Sequence, residues 1–166
     1  LLGKLYNFLN KQSDIDLVLI AKKDEHCPQY NNAHFITSPK VNKESLLKRF
    51  LYEAIISLKF LFAILKNVKK GSTVFTGTTP IFILMIIFFA KKIIGFKWIL
   101  LVHDVFPENL IAANIMKNKS YFYKFLKYFF DKIYKSADQV IVIGDDMKEL
   151  VYGKTGLNNI HVVQSW

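Results

Sequence analysis

Short apolar runs alternate along the chain with longer amphipathic segments. The short runs predict strands at Asp16–Ala21, His34–Thr37, Thr73–Thr76, Trp98–Val102, Gln139–Ile143 and Ile160–Val163. The longer segments predict helices at Lys4–Lys11, Ser45–Lys66, Pro80–Ile94, Pro107–Met116, Tyr121–Ser136 and Asp145–Tyr152. Because most consecutive strands are separated by a helix, the sequence predicts an α/β fold with a doubly wound parallel sheet.

Two of the predicted helices carry specific signals. Thr79 can cap a helix whose first residue is Pro80, and Gly95 can end that helix in a left-handed conformation. The longer helix, Ser45–Lys66, is expected to be deeply embedded, with only a narrow stripe of lysines outside. Its expected buried face consists of Phe50, Leu51, Ala54, Leu58, Leu61, Phe62 and Leu65.

Length and composition favour one domain spanning residues 1–166. A chain of 166 residues with 52% hydrophobic content can bury a substantial core. Its longest apolar run, Ile81–Ala90, has 10 residues, about half of what a membrane-spanning helix needs. The single cysteine, Cys27, excludes an internal disulfide, and the histidine and cysteine spacings resemble no structural zinc site, so no metal is predicted.

Positive charge is concentrated in two helical segments. The net charge is +10, of which Lys40–Lys70 carries +6 and Lys117–Lys135 carries +5. Clustering of this kind indicates a basic face directed at an anionic partner. A codon bias towards lysine is the alternative, because 22 of the 23 basic residues are lysine.

The strand at Trp98–Val102 ends on His103 and Asp104, a titratable pair. Ligands of open α/β sheets bind beyond the carboxyl ends of the strands, so this pair is the candidate catalytic group. Residues after the neighbouring strands are candidates for substrate binding: Thr76, Gly77, Thr78, Thr79, Gly144 and Asp145. The alternative is that Asp104 closes a turn and that the threonines, Gly144 and Asp145 only cap helices.

The helix at Tyr121–Ser136 is strongly amphipathic. Its expected core stripe consists of Phe122, Phe125, Leu126, Phe129 and Ile133. Beside that stripe lie aromatic residues and lysines that suit the boundary between lipid headgroups and acyl chains. These candidate membrane-binding residues are Tyr123, Lys124, Lys127, Phe130, Tyr134 and Lys135. Peripheral binding to an anionic membrane is therefore one interpretation, and an ordinary solvated helix face is the other.

Three stretches carry a resemblance to a known family: HDVFPE at 103–108, KFLKYFFDKIYKSADQVIVIGDDMKELV at 124–151 and NIHVVQSW at 159–166. Together they resemble the amino-terminal, acceptor-side half of family 4 glycosyltransferases of the GT-B fold, of the type that builds bacterial capsule and O-antigen. The resemblance covers roughly Gly71–Trp166. It implies a Rossmann-like domain that is one half of a GT-B architecture.

The resemblance also implies a function. The full enzyme would transfer a sugar, with retention, from a nucleotide-diphosphate sugar donor to a saccharide acceptor that is often lipid-linked. His103 matches a family histidine near the donor sugar and the acceptor, and the adjacent Asp104 would orient His103 or approach an acceptor hydroxyl. The first strand, the glycine-rich loop and the carboxyl-terminal donor-binding domain are expected outside this chain. The chain alone is then expected to be an inactive fragment, truncated at both ends, of a cytoplasmic enzyme on the inner face of the plasma membrane.

Two other functions remain open at the level of sequence. The chain could be the membrane-recruiting subunit of a two-chain glycosyltransferase whose partner binds the donor. It could instead be a basic nucleic-acid-binding module. The second alternative is the weakest, because Arg49 is the only arginine and no nucleic-acid-binding motif is present.

Overall fold

The computed structural model describes residues 2–12, 16–22, 33–36 and 46–164. It divides the chain into two compact units, Leu1–Asn67 and Val68–Trp166. Each unit is described separately below. The single domain expected from the sequence stays a prediction.

The first unit is a small α/β arrangement. Its two strands pair in parallel, with Leu19 opposite Ala33 and Lys22 opposite Ile36. The long second helix packs against both strands. The elements are α1 (Leu2–Leu9), β1 (Leu19–Lys22), β2 (Ala33–Ile36) and α2 (Leu46–Asn67). All four were predicted, whereas the loop predicted at 22–32 lies largely outside the described residues.

Helix α2 does not bury the face that was predicted. Over residues 51–67, the part of α2 whose side chains are described, the buried ones are Ile56, Ser57 and Ile64, and Phe50 of the predicted face lies outside that part. Four members of the predicted face are 44% to 70% exposed, namely Leu51, Leu58, Phe62 and Leu65. The expectation of a deeply embedded helix is therefore wrong for this face. The reason is that α2 carries apolar side chains on several sides, so helical spacing alone cannot select the side that packs.

The second unit contains a four-stranded parallel sheet in the order β3-β4-β5-β6. Strands and helices alternate along it, which confirms the predicted Rossmann-like α/β fold with parallel strands. The strands are β3 (Thr73–Gly77), β4 (Lys97–Val102), β5 (Gln139–Val142) and β6 (Ile160–Val162). The helices are α3 (Ile81–Ile94), α4 (Glu108–Ala112), α5 (Tyr121–Lys135) and α6 (Asp145–Thr155).

The core of this unit centres on β4. Trp98, Leu100 and Val102 alternate along the strand and are fully buried, as expected for side chains on one face of a sheet. Helices α3 and α5 contact each other, as do α5 and α6. Full burial of one such large apolar side chain stabilises the fold by about 1.5 to 3 kcal/mol. The other fully buried apolar side chains of this unit include Leu84, Ile87, Ile133, Val140, Val142 and Val151.

The ends of α3 match the sequence signals in part. Gly95 ends the helix in a left-handed conformation, with φ of 81°, and its N–H bonds to the carbonyl of Lys91. That cap was predicted. At the other end, Pro80 occupies the capping position in an extended conformation and the helix begins at Ile81. Thr79 therefore is not the cap, and no side chain caps this end.

Asp138 connects helix α3 with strands β4 and β5. Its carboxylate accepts the backbone N–H of Trp98 at 2.6 Å and the ammonium of Lys91 at 2.5 Å. Lys91 also donates to the carbonyl of Ser136. Burial acts to raise the pKa of Asp138, but the bonds from Lys91 and Trp98 outweigh it and hold that pKa below its ordinary value. The Ala137-Asp138 motif thus joins α3, β4 and β5, which is a structural role.

Candidate functional site

The predicted site residues follow three parallel strands and therefore lie along one edge of the sheet. Thr78 follows β3, His103 and Asp104 follow β4, and Gly144 and Asp145 follow β5. Because neighbouring parallel strands run in the same direction, their carboxyl ends meet at the same edge. The side chains of His103 and Asp104 are exposed there, so the pair is open to a ligand.

A buried threonine holds the His103–Asp104 turn. Thr78 is only 2% exposed, and its hydroxyl oxygen accepts the backbone N–H of His103 at 3.2 Å and that of Asp104 at 3.3 Å. One hydroxyl therefore fixes the backbone of both residues. Thr78 was predicted to bind substrate, but here it contacts the turn that carries the candidate catalytic pair.

We predict that Thr78→Val loosens this turn. The substitution keeps the shape of the side chain but removes the acceptor of two backbone N–H groups, which should lower the free energy of unfolding by about 1 to 3 kcal/mol. Hydrogen exchange at the amides of His103 and Asp104 should become faster. Thr78→Ser keeps the hydroxyl and serves as the control. Unchanged amide exchange in the valine variant would contradict the role assigned to this hydroxyl.

The other candidate residues at the carboxyl end of β3 differ in accessibility. The hydroxyl of Thr76 accepts the indole N–H of Trp98 at 2.8 Å, so it is engaged within the sheet. Gly77 is half-buried and forms the last residue of β3. Thr79 is exposed. Of the four residues Thr76–Thr79, Thr79 presents the most accessible side chain at this edge.

Gly144 and Asp145 form the start of α6. Gly144 has an extended backbone, and its carbonyl accepts the N–H of Lys148 at 3.1 Å. A Cβ atom at this position would lie 2.6 Å from Oδ1 of Asp146, so a larger residue here would require the Asp146 carboxylate to move. Asp145 is exposed in the first turn of the helix, where a negative charge is favourable. These contacts fit a capping role.

The hydroxyl of Tyr134 also holds the His103–Asp104 turn. It donates to the carbonyl of Asp104 at 3.2 Å and accepts the N–H of Phe106 at 3.3 Å. The ring is fully buried, and this burial raises the pKa of Tyr134 well above its ordinary value, so the hydroxyl keeps its proton. Tyr134 therefore fixes the backbone between Asp104 and Phe106. Nothing in the local sequence separates this role from ordinary packing.

A partly buried ionic cluster anchors the segment that follows the turn. Lys154, whose side chain is 1% exposed, lies 2.9 Å from Glu108 and 2.5 Å from Asp131. Lys127 lies 2.9 Å from Glu108 and 3.3 Å from Asp131. These four residues, called the Glu108 cluster below, connect α4, α5 and α6. Sequence reasoning missed the cluster, because Glu108, the Lys127–Asp131 pair and Lys154 lie about 20 residues or more from one another along the chain.

The charges of the Glu108 cluster stabilise one another. Burial acts to raise the pKa of Glu108, but hydrogen bonds from Lys127 and Lys154 outweigh it, so the net pKa is lowered. For Lys127 burial acts to lower the pKa, and the bond to Glu108 and the charges around it raise it overall. An open cavity of about 490 Å³ adjoins the cluster and is also lined by Tyr123 and Glu149. None of the predicted substrate-binding residues lines that cavity.

Helix α5 presents a different face to solvent from the one predicted. Three candidate membrane-binding residues, Tyr123, Phe130 and Tyr134, are at most 7% exposed. Phe122 and Phe125, expected in the core, are about 60% exposed, at 59% and 63%. The assignment of these five side chains to solvent or core is therefore wrong. Both sides of α5 are aromatic, so periodicity could not separate them.

The remaining parts of the α5 prediction have mixed outcomes. Ile133 is buried as expected, and Leu126 and Phe129 are half-buried. Lys124 and Lys135 are exposed, whereas Lys127 belongs to the Glu108 cluster. The ion pairs of that cluster join the Lys127 side of the helix to α6. No helix among the described residues is long and apolar enough to cross a membrane.

Comparisons with known proteins give one informative relationship. The chain matches no protein-family profile. It is similar to a probable glycosyltransferase, WbjE, of Pseudomonas aeruginosa, with 41% identity over 116 residues. The aligned segment takes in 70% of this chain and 29% of that protein, so the chain spans less than a third of the relative. The chain is thus homologous to part of a protein named a glycosyltransferase, which supports the glycosyltransferase class of the resemblance.

Proposed function

We propose that this chain is the acceptor-binding domain of a retaining glycosyltransferase of family 4 and the GT-B fold. The enzyme would move a sugar from a nucleotide-diphosphate sugar to a lipid-linked saccharide in the synthesis of a surface polysaccharide such as capsule or O-antigen. The observation that carries the proposal is the exposed His103–Asp104 pair, held by Thr78 at the carboxyl edge of a parallel sheet. Homology to a probable glycosyltransferase supports the class of reaction.

The proposed chemistry needs few groups from this chain. The acceptor hydroxyl oxygen forms a bond to the anomeric carbon of the donor sugar, and the nucleoside diphosphate leaves with the electrons of the broken bond. The hydroxyl proton passes to a base or to the leaving phosphate. His103 is suited to orient that hydroxyl or to move its proton, because a neutral imidazole can both donate and accept. Asp104, adjacent at the same edge, orients the imidazole or the acceptor.

The donor requires a second binding region. In this proposal a carboxyl-terminal domain holds the nucleotide and its phosphates, and the described chain forms the opposite wall of the cleft. The relative is much longer than this chain, which is consistent with such a division. A lipid-linked acceptor would also bring the enzyme to the inner face of the plasma membrane.

Transfer by the full-length protein tests this function. The protein is incubated with a panel of radiolabelled nucleotide-diphosphate sugars and lipids extracted from its own host. We expect label from one or a few sugars to enter the lipid fraction, with equal release of nucleoside diphosphate. Reactions without the lipid extract are the control. If no sugar of the panel is transferred while the protein binds DNA with strong salt dependence, a nucleic-acid-binding function replaces this one.

A further inference from the structure

Helices α3 and α5 expose an unusual number of large apolar side chains. We call them, with the lysines among them, the aromatic–lysine surface. Its apolar members are Phe89, Ile93, Tyr121, Phe122, Phe125 and Tyr128, which are 48% to 89% exposed. Its basic members are Lys92, Lys124 and Lys132. All of them lie in the second unit.

Ring contacts connect the two helices of this surface. The rings of Phe88 and Phe89 pack edge to face at 5.3 Å, and Phe88 packs in the same way against Phe129 of α5 at 6.4 Å. Phe122, Phe125 and Phe129 follow each other at helical spacing along α5. The exposed side chains of α3 and α5 therefore flank a ring contact that joins the two helices.

The lysines of the surface lie on its aromatic rings. The ammonium of Lys92 lies 4.3 Å from the ring centre of Phe88, and that of Lys132 lies 4.3 Å from Tyr128. Lys124 lies 5.7 Å from Tyr121. Each contact keeps the apolar stem of a lysine along a ring while the charge stays at the surface.

Nearby acidic groups do not neutralise this positive charge. The only carboxylate of helix α5 is Asp131, and it is paired with Lys127 and Lys154 in the Glu108 cluster. The exposed face of α5 is therefore apolar and cationic. A second copy of the chain fits poorly here, because a two-fold contact would bring lysines against lysines.

We propose that the aromatic–lysine surface binds the interface of an anionic phospholipid membrane. Phe122 and Phe125 enter the boundary between headgroups and acyl chains, and Lys124 and Lys132 contact the lipid phosphates. Tyrosine and lysine side chains are favourable at that depth, since each has an apolar body and a polar end, and the phenylalanine rings add apolar area. The inference deepens the proposed function. It rests on that proposal only for the lipid-linked acceptor on which the membrane-bound enzyme would act.

Vesicle flotation of the full-length protein tests this surface directly. The probes are vesicles of phosphatidylcholine alone and of phosphatidylcholine with phosphatidylglycerol. We expect wild-type protein to prefer the anionic vesicles, and Phe122→Ser with Phe125→Ser to bind them about tenfold more weakly. The matched control is Leu150→Ser with Tyr152→Ser, on α6, where the side chains are 46% and 54% exposed. It should bind like the wild type.

A charge variant separates the electrostatic part. Replacing Lys92, Lys124 and Lys132 by glutamine should weaken binding to anionic vesicles by about tenfold or more at low salt. It should leave the weak binding to neutral vesicles unchanged. Circular dichroism and the thermal midpoint report whether each variant folds. If the serine variant does not fold, the glutamine variant alone tests the membrane-binding role.

Several outcomes would contradict the membrane-binding role of the aromatic–lysine surface. One is that the wild-type protein does not bind anionic vesicles. Another is that the folded serine and glutamine variants both bind these vesicles as tightly as the wild type. A third is that the α6 control loses as much binding as the serine variant. A change in mass by light scattering with no change in flotation would assign the surface to a second copy instead. Flotation does not require sugar transfer. An active enzyme whose flotation is unchanged by these substitutions would therefore contradict only the membrane-binding role of this surface. A protein that binds through it without transferring sugar overturns only the proposed function.

Discussion

Replacing Lys154 by alanine is expected to lower the free energy of unfolding by about 3 kcal/mol. The Lys154 side chain is 1% exposed and lies within 3 Å of two carboxylates, at 2.9 Å from Glu108 and 2.5 Å from Asp131. Its removal leaves these partly buried charges with Lys127 as their remaining cation in the cluster. Breaking a buried ion pair costs far more than losing an exposed one, because the remaining charges are poorly solvated.

Chemical denaturation at neutral pH measures this loss. The matched control is Lys148→Ala, which removes an exposed lysine from the same helix and should change stability by less than about 0.5 kcal/mol. Replacing Lys154, Glu108 and Asp131 together by apolar residues of similar size should recover much of the stability lost in the single variant. If Lys154→Ala costs no more than Lys148→Ala, the Glu108 cluster is not a stabilising feature.

The same cluster predicts how stability depends on pH. The pKa of Glu108 lies below its ordinary value of 4.5 in the folded chain, so the folded state binds this proton less readily than the unfolded state. The contribution of Glu108 is therefore present above pH 4.5 and is lost as the pH falls through the folded pKa. Glu108→Gln should flatten this part of the stability profile measured by denaturation at a series of pH values.

Much of the fold could be predicted from the sequence because its signals are local. The apolar run of β4 and the glycine that ends α3 act within a few residues. The packed faces of α2 and α5 could not be predicted, since both helices carry apolar side chains on several sides. The packed side of α5 includes the ion pair between Asp131 and Lys154, which are more than 20 residues apart in the chain.

The candidate site shows the same division. The position of His103 and Asp104 follows from the end of a buried strand, which the sequence indicates directly. The bonds from their backbone to Thr78 join residues 25 and 26 positions apart. The contact between Tyr134 and Asp104 spans 30 positions. Such contacts depend on how strands and helices pack, and residue types at these positions do not specify them.

In the full-length enzyme, His103→Ala is expected to lower the turnover of sugar transfer by about 100-fold. The imidazole is exposed at the carboxyl edge of β4, so its removal takes away a group that orients the acceptor hydroxyl or moves its proton. Folding should be retained, because the turn is held through backbone N–H groups that the substitution leaves in place. Circular dichroism and the thermal midpoint check that expectation.

The matched control is His161→Ala, which removes an exposed histidine from β6. The most direct test of the acceptor-side site is kcat for sugar transfer by these two variants, at saturating donor and acceptor. We predict a loss of about 100-fold for His103→Ala and near-normal turnover for His161→Ala. Near-normal turnover of a folded His103→Ala enzyme would contradict the assignment of this edge to the reaction.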